Sequence, residues 1–237
     1  SGVTPTERYL NKLAKRSFLS LWCYPNVFTD ESRFNGKGPA KELCDLLIVF
    51  GNDVLIFSDK YVKFNKDKDI TVAWKRWYNK AIDKSAGQLF KAERWLREHP
   101  NRIFLDNLCT TKFPLAIPNK EQMRVHKICV ANGALTACKS YFNNQSIASL
   151  MIDMGVNGEK EHDFPFTIGY PCRARGFIHV FDELTLRNIF DEIDTTNDFF
   201  KYLGKREMFL SQDKPCIHVA GEEQLLAIYL KNINEIG

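Results

Sequence analysis

The sequence lacks any apolar run of the roughly 18 residues that a membrane-spanning helix needs. The nearest stretch, Leu43 to Phe57, is broken by Asp45, Asn52 and Asp53. No HxxxH or HExxH spacing joins its histidines, so a zinc site has no support. GxSxG, GxGxxG and Walker A patterns are absent too, which disfavours serine hydrolysis and nucleotide binding. No pair of its seven cysteines is spaced CxxC, and Cys44 and Cys129 lie in apolar, strand-like runs. An odd number of cysteines with such neighbours predicts reduced, mostly buried thiols and a cytoplasmic setting. The start, Ser1-Gly2-Val3, shows no charged segment leading into an apolar core, so no secretion signal is expected. Repeats and low-complexity stretches are lacking as well.

What is there is ordinary globular material: 237 residues, 44% hydrophobic and 13% aromatic, enough to bury a sizeable core without metal or disulfide staples. The net charge of +4 is mild, but it is unevenly placed. Residues 1–100 hold 18 Lys/Arg against 12 Asp/Glu, a net of +6, and the remainder is net −2. Any surface made for an acidic partner is therefore expected in the first part of the chain.

Thr4-Pro5-Thr6-Glu7 predicts a helix start, with Thr as N-cap, Pro at N1 and Glu at N3, and Tyr24-Pro25-Asn26 predicts its end. A polar loop is expected at 29–39. Two strands follow, Glu42–Phe50 and Val54–Lys60, joined tightly through Gly51-Asn52-Asp53 as an antiparallel hairpin. A third strand is a candidate near Tyr61–Phe64 or Ile70–Val72. Trp74, Trp77, Tyr78, Ala81, Ile82, Leu89, Ala92 and Leu96 then recur at helical spacing, which predicts one long helix over 72–98. Further strands are expected at Arg102–Asp106, Met123–Ala131, Phe177–Phe181 and Cys216–Ala220, and helices near 183–193, 196–210 and 221–234. Residues 139–176 mix Asn, Gly, Pro and charge and are expected to form an irregular insert. Alternating helices and strands imply an α/β fold with a mixed sheet.

The densest chemical signal is KELCDLLIVFGNDVLIFSDK, residues 41–60. Asp45 opens the apolar run of the first strand and Lys60 closes the second, so the hairpin folds an acid and an ammonium toward one end of the sheet. Such a pair can hold a divalent cation and a water beside a phosphate. The other reading of the same residues is a strand-end salt bridge. Strand parity puts Ser58 and Lys60 on one face and Asp59 on the other. Glu42, three residues before Asp45, has the opposite parity and is expected to be a solvated charge.

This passage resembles the restriction-endonuclease-like superfamily, the PD-(D/E)xK nucleases, over residues 4–98. The resemblance implies a core of helix, strand hairpin, helix and further strands in a mixed sheet over residues 1–131. Residues 132–237 would then be a C-terminal α+β extension packed on that core. It implies that Asp45 binds Mg²⁺ or Mn²⁺ and that Lys60 orients the attacking water. The family's second acid is replaced by Ser58, so Glu7 and the backbone carbonyl of Asp59 are the further candidates for the metal. Glu7 keeps a second reading as a helix-capping residue, although it points with Leu10, Ala14 and Phe18. Lys84 and Gln88, one helical turn apart, resemble the pair that reaches the scissile phosphate in several branches. Arg76, Lys80, Lys91 and Arg94 extend that face as candidate phosphate contacts, whereas Trp77 and Trp95 are expected at the edge of the core. The activity implied is phosphodiester hydrolysis of nucleic acid, most plausibly DNA, in a setting such as bacterial antiviral defence. The alternative is an inactive module of the same fold that binds nucleic acid or a protein, with self-association or partner binding through the C-terminal part.

Overall fold

A computed structural model describes residues 4–33, 38–143, 149–157, 164–211 and 217–234. Ser1-Gly2-Val3 and Cys216 lie outside them. The chain forms two compact units: Ser1–Asp59 with Gly87–Ile128, and Lys60–Ala86 with Cys129–Gly237. The division cuts through two strands and the long helix. Among the described residues no helix is long and apolar enough to cross a membrane, and no disulfide joins the cysteines.

The first unit opens with α1 (Pro5–Trp22), and its capping box forms as the sequence predicts. The Thr4 hydroxyl accepts from the Glu7 amide, and the Glu7 carboxylate accepts from the Thr4 amide. Leu10, Ala14 and Phe18 are fully buried on its inner face. The helix ends not in a turn but directly in a strand, β1 (Cys23–Thr29). Sequence reading misses this strand because Pro25 and Asn26 look like punctuation. Pro is tolerated there, and Asn26 takes a left-handed φ of 49°, which Asn adopts more readily than most residues. The hairpin follows as β2 (Lys41–Phe50) and β3 (Asp53–Tyr61). Gly51 has φ 59°, as the first central position of a two-residue type II′ turn requires. Leu46 to Val49 and Val54 to Phe57 are all buried, so this hairpin is the centre of the sheet.

β4 (Ile103–Phe104) pairs with β1, and β5 (Arg124–Asn132) lies beside β3, giving the order β4-β1-β2-β3-β5. The Arg124 amide donates to Asn52 and, further along, the Val62 amide donates to Asn132, so β3 and β5 run parallel. The far half of β5, in the second unit, neighbours β8 (His179–Phe181) and completes a mixed sheet of six strands. An α/β fold with a mixed sheet is thus present.

The long helix is α2 (Ile70–Tyr78), a π-helical turn at Asn79–Asp83, and α3 (Lys84–Glu98). The Lys84 amide bonds back to Asn79, five residues earlier. Ser85 Oγ and Cys129 Sγ donate to the Ala81 carbonyl within that turn. One unbroken helical wheel therefore does not describe 72–98, because the π turn offsets the residues before it from those after it. No separate strand forms at Ile70–Val72, where Asp69 caps α2 instead.

In the second unit, α4 (Leu135–Tyr141), β6 (Met151–Asn157) and β7 (Thr167–Tyr170) occupy the region expected to be irregular. With β9 (His218–Val219) they give a separate three-stranded sheet, ordered β7-β6-β9. Leu150, Ile152, Met154 and Val156 alternate with Asp153, Gly155 and Asn157 and are buried, a strand pattern set within a stretch otherwise rich in Asn, Gly and charge. Helices α5 (Glu183–Glu192), α6 (Thr196–Leu210) and α7 (Glu222–Asn234) fall where the periodicity places them. Trp74 and Trp77 stack in the core of this unit, and the Trp77 indole donates to the Val62 carbonyl. Trp95, in the first unit, donates to the Arg102 carbonyl. Trp95 lies at the edge of the core, as expected, whereas Trp77, 2% exposed, lies within it.

Candidate functional site

Asp45 sits near the start of the hairpin's apolar run, in the first unit, half-buried. The pairs Pro25↔Leu46 and Val27↔Cys44 put Asn26 opposite Asp45 on β1. The pair Leu46↔Phe57 puts Ser58 next in line on β3. Asn26, Asp45 and Ser58 thus stand side by side across three adjacent strands.

A β-bulge then changes the reading of Glu42. On β2 the register slips from Val27↔Cys44 to Phe28↔Glu42, which leaves Leu43 as an extra residue. An extra residue reverses the alternation beyond it. Glu42, whose parity in an unbroken strand opposes that of Asp45, therefore comes onto the same face. Consecutive burial of Leu43 and Cys44 is the mark of that slip. Glu42 is exposed, as expected of a charge at a strand end, and it also lines a small polar cavity with Asp45, Ser58 and Gln88, backed by Leu43, Cys44 and Leu89. The cavity measures about 20 Å³, room for one water or one bare ion.

The polar bonds around it are few and directed. Asp45 Oδ2 accepts from the backbone N–H of Asp59 at 2.5 Å. Of Asp59's two backbone groups, it is the amide that reaches Asp45. Ser58, 3% exposed, donates from Oγ to Gln88 Oε1 at 3.3 Å. The side-chain amide of Asn26 donates to Glu42 Oε1 at 2.9 Å and to Glu7 Oε2 at 3.4 Å. Of the two roles weighed for Glu7 the cap of α1 is formed, and Glu7 stands beside Asn26 rather than among the residues lining the cavity. Burial pushes the Cys44 thiol well above its usual range, and the negative charges of Asp45 and Glu42 push it further. Two carboxylates converging on one cavity is what that field reports.

A second cavity of about 180 Å³ shares Glu42, Leu43 and Gln88 with the first and adds Lys91 and Trp95. Lys41 on its rim is paired to Glu31 at 2.6 Å. Gln88 and Lys91 are exposed, one helical turn apart by the i, i+3 rule, so α3 presents an amide and an ammonium along this opening. Arg94 is exposed on the same helix. Lys60, half-buried, follows Ser58 by two residues on β3 and belongs with the second unit, as do the exposed Arg76, Lys80 and Lys84. The donor set gathered in the first unit is therefore Glu42, Asp45, Ser58 and Gln88, with Glu7 behind Asn26.

Of the candidates named from the sequence, the cavity brings together Asp45, Ser58 and Gln88, and Asn26 bonds to Glu7; Glu42 and Asn26 are not among those candidates. The signal for Glu42 is present in hindsight of physics alone: Leu43-Cys44 are two consecutive apolar residues in a strand that otherwise needs alternation at its edge. Asn26 carries no such signal, because its role depends on β1, which the sequence conceals. Compared with protein-family models, with curated proteins and with solved structures, the chain matches none.

Proposed function

We propose that this protein belongs to the class of metal-dependent phosphodiesterases of restriction-endonuclease-like build, and that it hydrolyses nucleic acid, most plausibly DNA. The observation that carries the reading is the bulge at Leu43, which sets Glu42 beside Asp45 in a cavity of ion size. A bulge interrupts the ladder, and bulges of this kind cluster at places where a side chain is re-aimed.

The donors fit a hard divalent cation: two carboxylates, a hydroxyl and an amide oxygen, while Cys44, which also lines the cavity, is held as the neutral thiol by its burial. Asp45 and Glu42 would hold Mg²⁺ or Mn²⁺, with Ser58 and Gln88 as neutral neighbours. Such an ion supplies charge neutralisation at the phosphoryl oxygens and lowers the pKa of water. The chain's own residues do the rest. The Asp59 amide fixes the rotamer of Asp45, and Asn26 fixes Glu42. Gln88 is held by Ser58, which leaves its amide N–H₂ to donate to a phosphate oxygen. Lys91 adds a positive charge beside Gln88, and Lys60 is assigned to orient the attacking water and to offset charge as the phosphorane forms. Glu42 takes the place of the second acid that Ser58 does not supply.

The test is cleavage of labelled DNA and RNA by the purified chain with Mg²⁺ or Mn²⁺. Cleavage is expected, abolished by chelation and reduced about 100-fold or more by Asp45→Asn and by Lys60→Ala. Uncut substrates, or a Lys60→Ala protein that cuts as well as the parent, overturn the reading. Tight, salt-sensitive binding without cleavage would instead assign the fold to an inactive nucleic-acid-binding module.

A further inference from the structure

The second unit holds a cleft of about 720 Å³, far larger than the ion-sized cavity of the first. Its walls carry Lys63, Lys66 and Lys80, all exposed, and the ring of Tyr61, which is 65% exposed. Asp67 is the only carboxylate among the residues lining it. None of the three lysines takes part in a salt bridge among the described residues, in a chain where Lys41, Lys120, Lys127 and Lys201 all do. Three ammonium groups around one concave surface, with a single acid between them, make a lasting positive field.

The floor is built to stay open. Gly133, at the end of β5, has φ +102°, and a Cβ there would stand 2.4 Å from the Val62 carbonyl oxygen and 3.5 Å from the Tyr61 ring. Any side chain at 133 would push into the backbone that carries Tyr61 and Lys63. Phe64 is buried behind the wall against Phe166, so the segment bearing the lysines is anchored rather than loose. A tyrosine left two-thirds exposed at the mouth of a cationic cleft has no packing reason to be aromatic. It has a binding reason: a flat face on which a base can stack.

We propose that this cleft binds a short stretch of single-stranded nucleic acid, with phosphates along Lys63, Lys66 and Lys80 and a base on Tyr61. At about 720 Å³ the cleft matches a short single strand that turns its bases inward. The proposal rests on the phosphodiester reading above and names the form of its substrate. Its test is made without cleavage. In chelator, with no divalent metal, the anisotropy of a labelled oligothymidine is followed against salt and compared with a hairpin duplex of the same length. Tighter binding of the single strand is expected. Each lysine lost should flatten the salt slope by about 0.7, so the triple variant K63A/K66A/K80A should flatten it by about 2. Tyr61→Ala should weaken binding about tenfold or more, with Tyr61→Phe retaining it. All four side chains are exposed, so folding is not at stake, and unchanged circular dichroism confirms that. A triple variant that binds as the parent does, a Tyr61→Ala protein with unaltered affinity, or a duplex bound as tightly as the single strand overturns the proposal. Lysine-dependent binding by a protein that cuts nothing with Mg²⁺ sustains the cleft and sinks the nuclease. Cleavage unaffected by the triple variant does the reverse.

Discussion

The two units handle carboxylates in opposite ways. In the first, Glu42 and Asp45 line a small cavity, where the Asn26 side-chain amide donates to Glu42 and the Asp59 backbone N–H to Asp45. In the second, Glu222 is 2% exposed and its partners are all protein. Arg206 donates from Nε to Oε1 at 2.7 Å and from a terminal nitrogen to Oε2 at 2.9 Å, and the Tyr202 hydroxyl donates to Oε1 as well. Its backbone N–H meets Ser149 Oγ, which in turn donates to Glu223. Burial alone would lower the Arg206 pKa, yet Glu222 and Tyr202 raise it on balance, so this guanidinium stays charged. An acid with all its lone pairs answered is holding the fold. On the reading proposed above, acids that meet at an ion-sized cavity are placed for a cation that arrives.

That contrast makes the same chemical change diagnostic. Glu222→Gln leaves a buried charge on Arg206 without its counter-ion and should destabilise the protein by about 3–5 kcal/mol. It should be read as a lower denaturation midpoint and faster amide exchange in α6 and α7. Asp45→Asn should move neither, while removing cleavage. If the two substitutions prove interchangeable in their effect on stability, the distinction between structural and functional acids collapses.

Glu42→Gln tests the same division inside the first unit, where the neighbouring Glu31 serves as control. Glu31 pairs with Lys41 at the surface and faces only the larger opening. Cleavage at fixed Mg²⁺ should fall about tenfold to 100-fold for Glu42→Gln, with the metal concentration needed for half activity rising, and should stay within twofold for Glu31→Gln. Equal effects from both would return Glu42 to the solvated role that strand parity assigns it.

Why parity misleads there shows how far the sequence carries. The capping box, the hairpin, the long helix and the three C-terminal helices are legible because each rests on local chemistry: a cap, a tight turn, a period. Strand β1 is not, since only pairing with β2 makes Pro25-Asn26 extended. The bulge at Leu43 leaves only the adjacent Leu43-Cys44 pair as a trace, being a property of two strands in register. The sheet β7-β6-β9 depends on partners far apart in the chain; β6 itself alternates from Ile152 to Val156, but its partners β7 and β9 are too short to carry a period. His179 on β8 is 1% exposed, with Arg206 at 3.3 Å from its Nδ1, a burial that no local pattern announces. In each case the missing information is tertiary.

The smallest expected effect is a difference of sign with pH. At the start of β3, burial raises the Asp53 pKa, but hydrogen bonds from Arg124, at 2.6 and 2.8 Å, and from His126 outweigh it, so the net shift is downward. Asp106 is held down to about 2, first by the Thr111 amide. Their contributions to stability are complete above the unfolded value of 3.8 and are lost as pH falls through the lower folded values. Asp182 and Glu183, at the start of α5, shift the other way, because burial outweighs the amide bonds that Asp182 accepts from Thr185 and Leu150. Their contributions are complete below 3.8 and 4.5 and are lost as pH rises through the raised folded values. Amide exchange corrected for intrinsic rates should therefore show α5 and the Leu150 amide better protected at pH 4.5 than at neutrality. The β3–β5 amides near Asn52 and Arg124 should hold until the pH drops below 3.8, and then weaken. Protection that rises or falls together in both places would mean that the acids of the two units are not set apart by their surroundings.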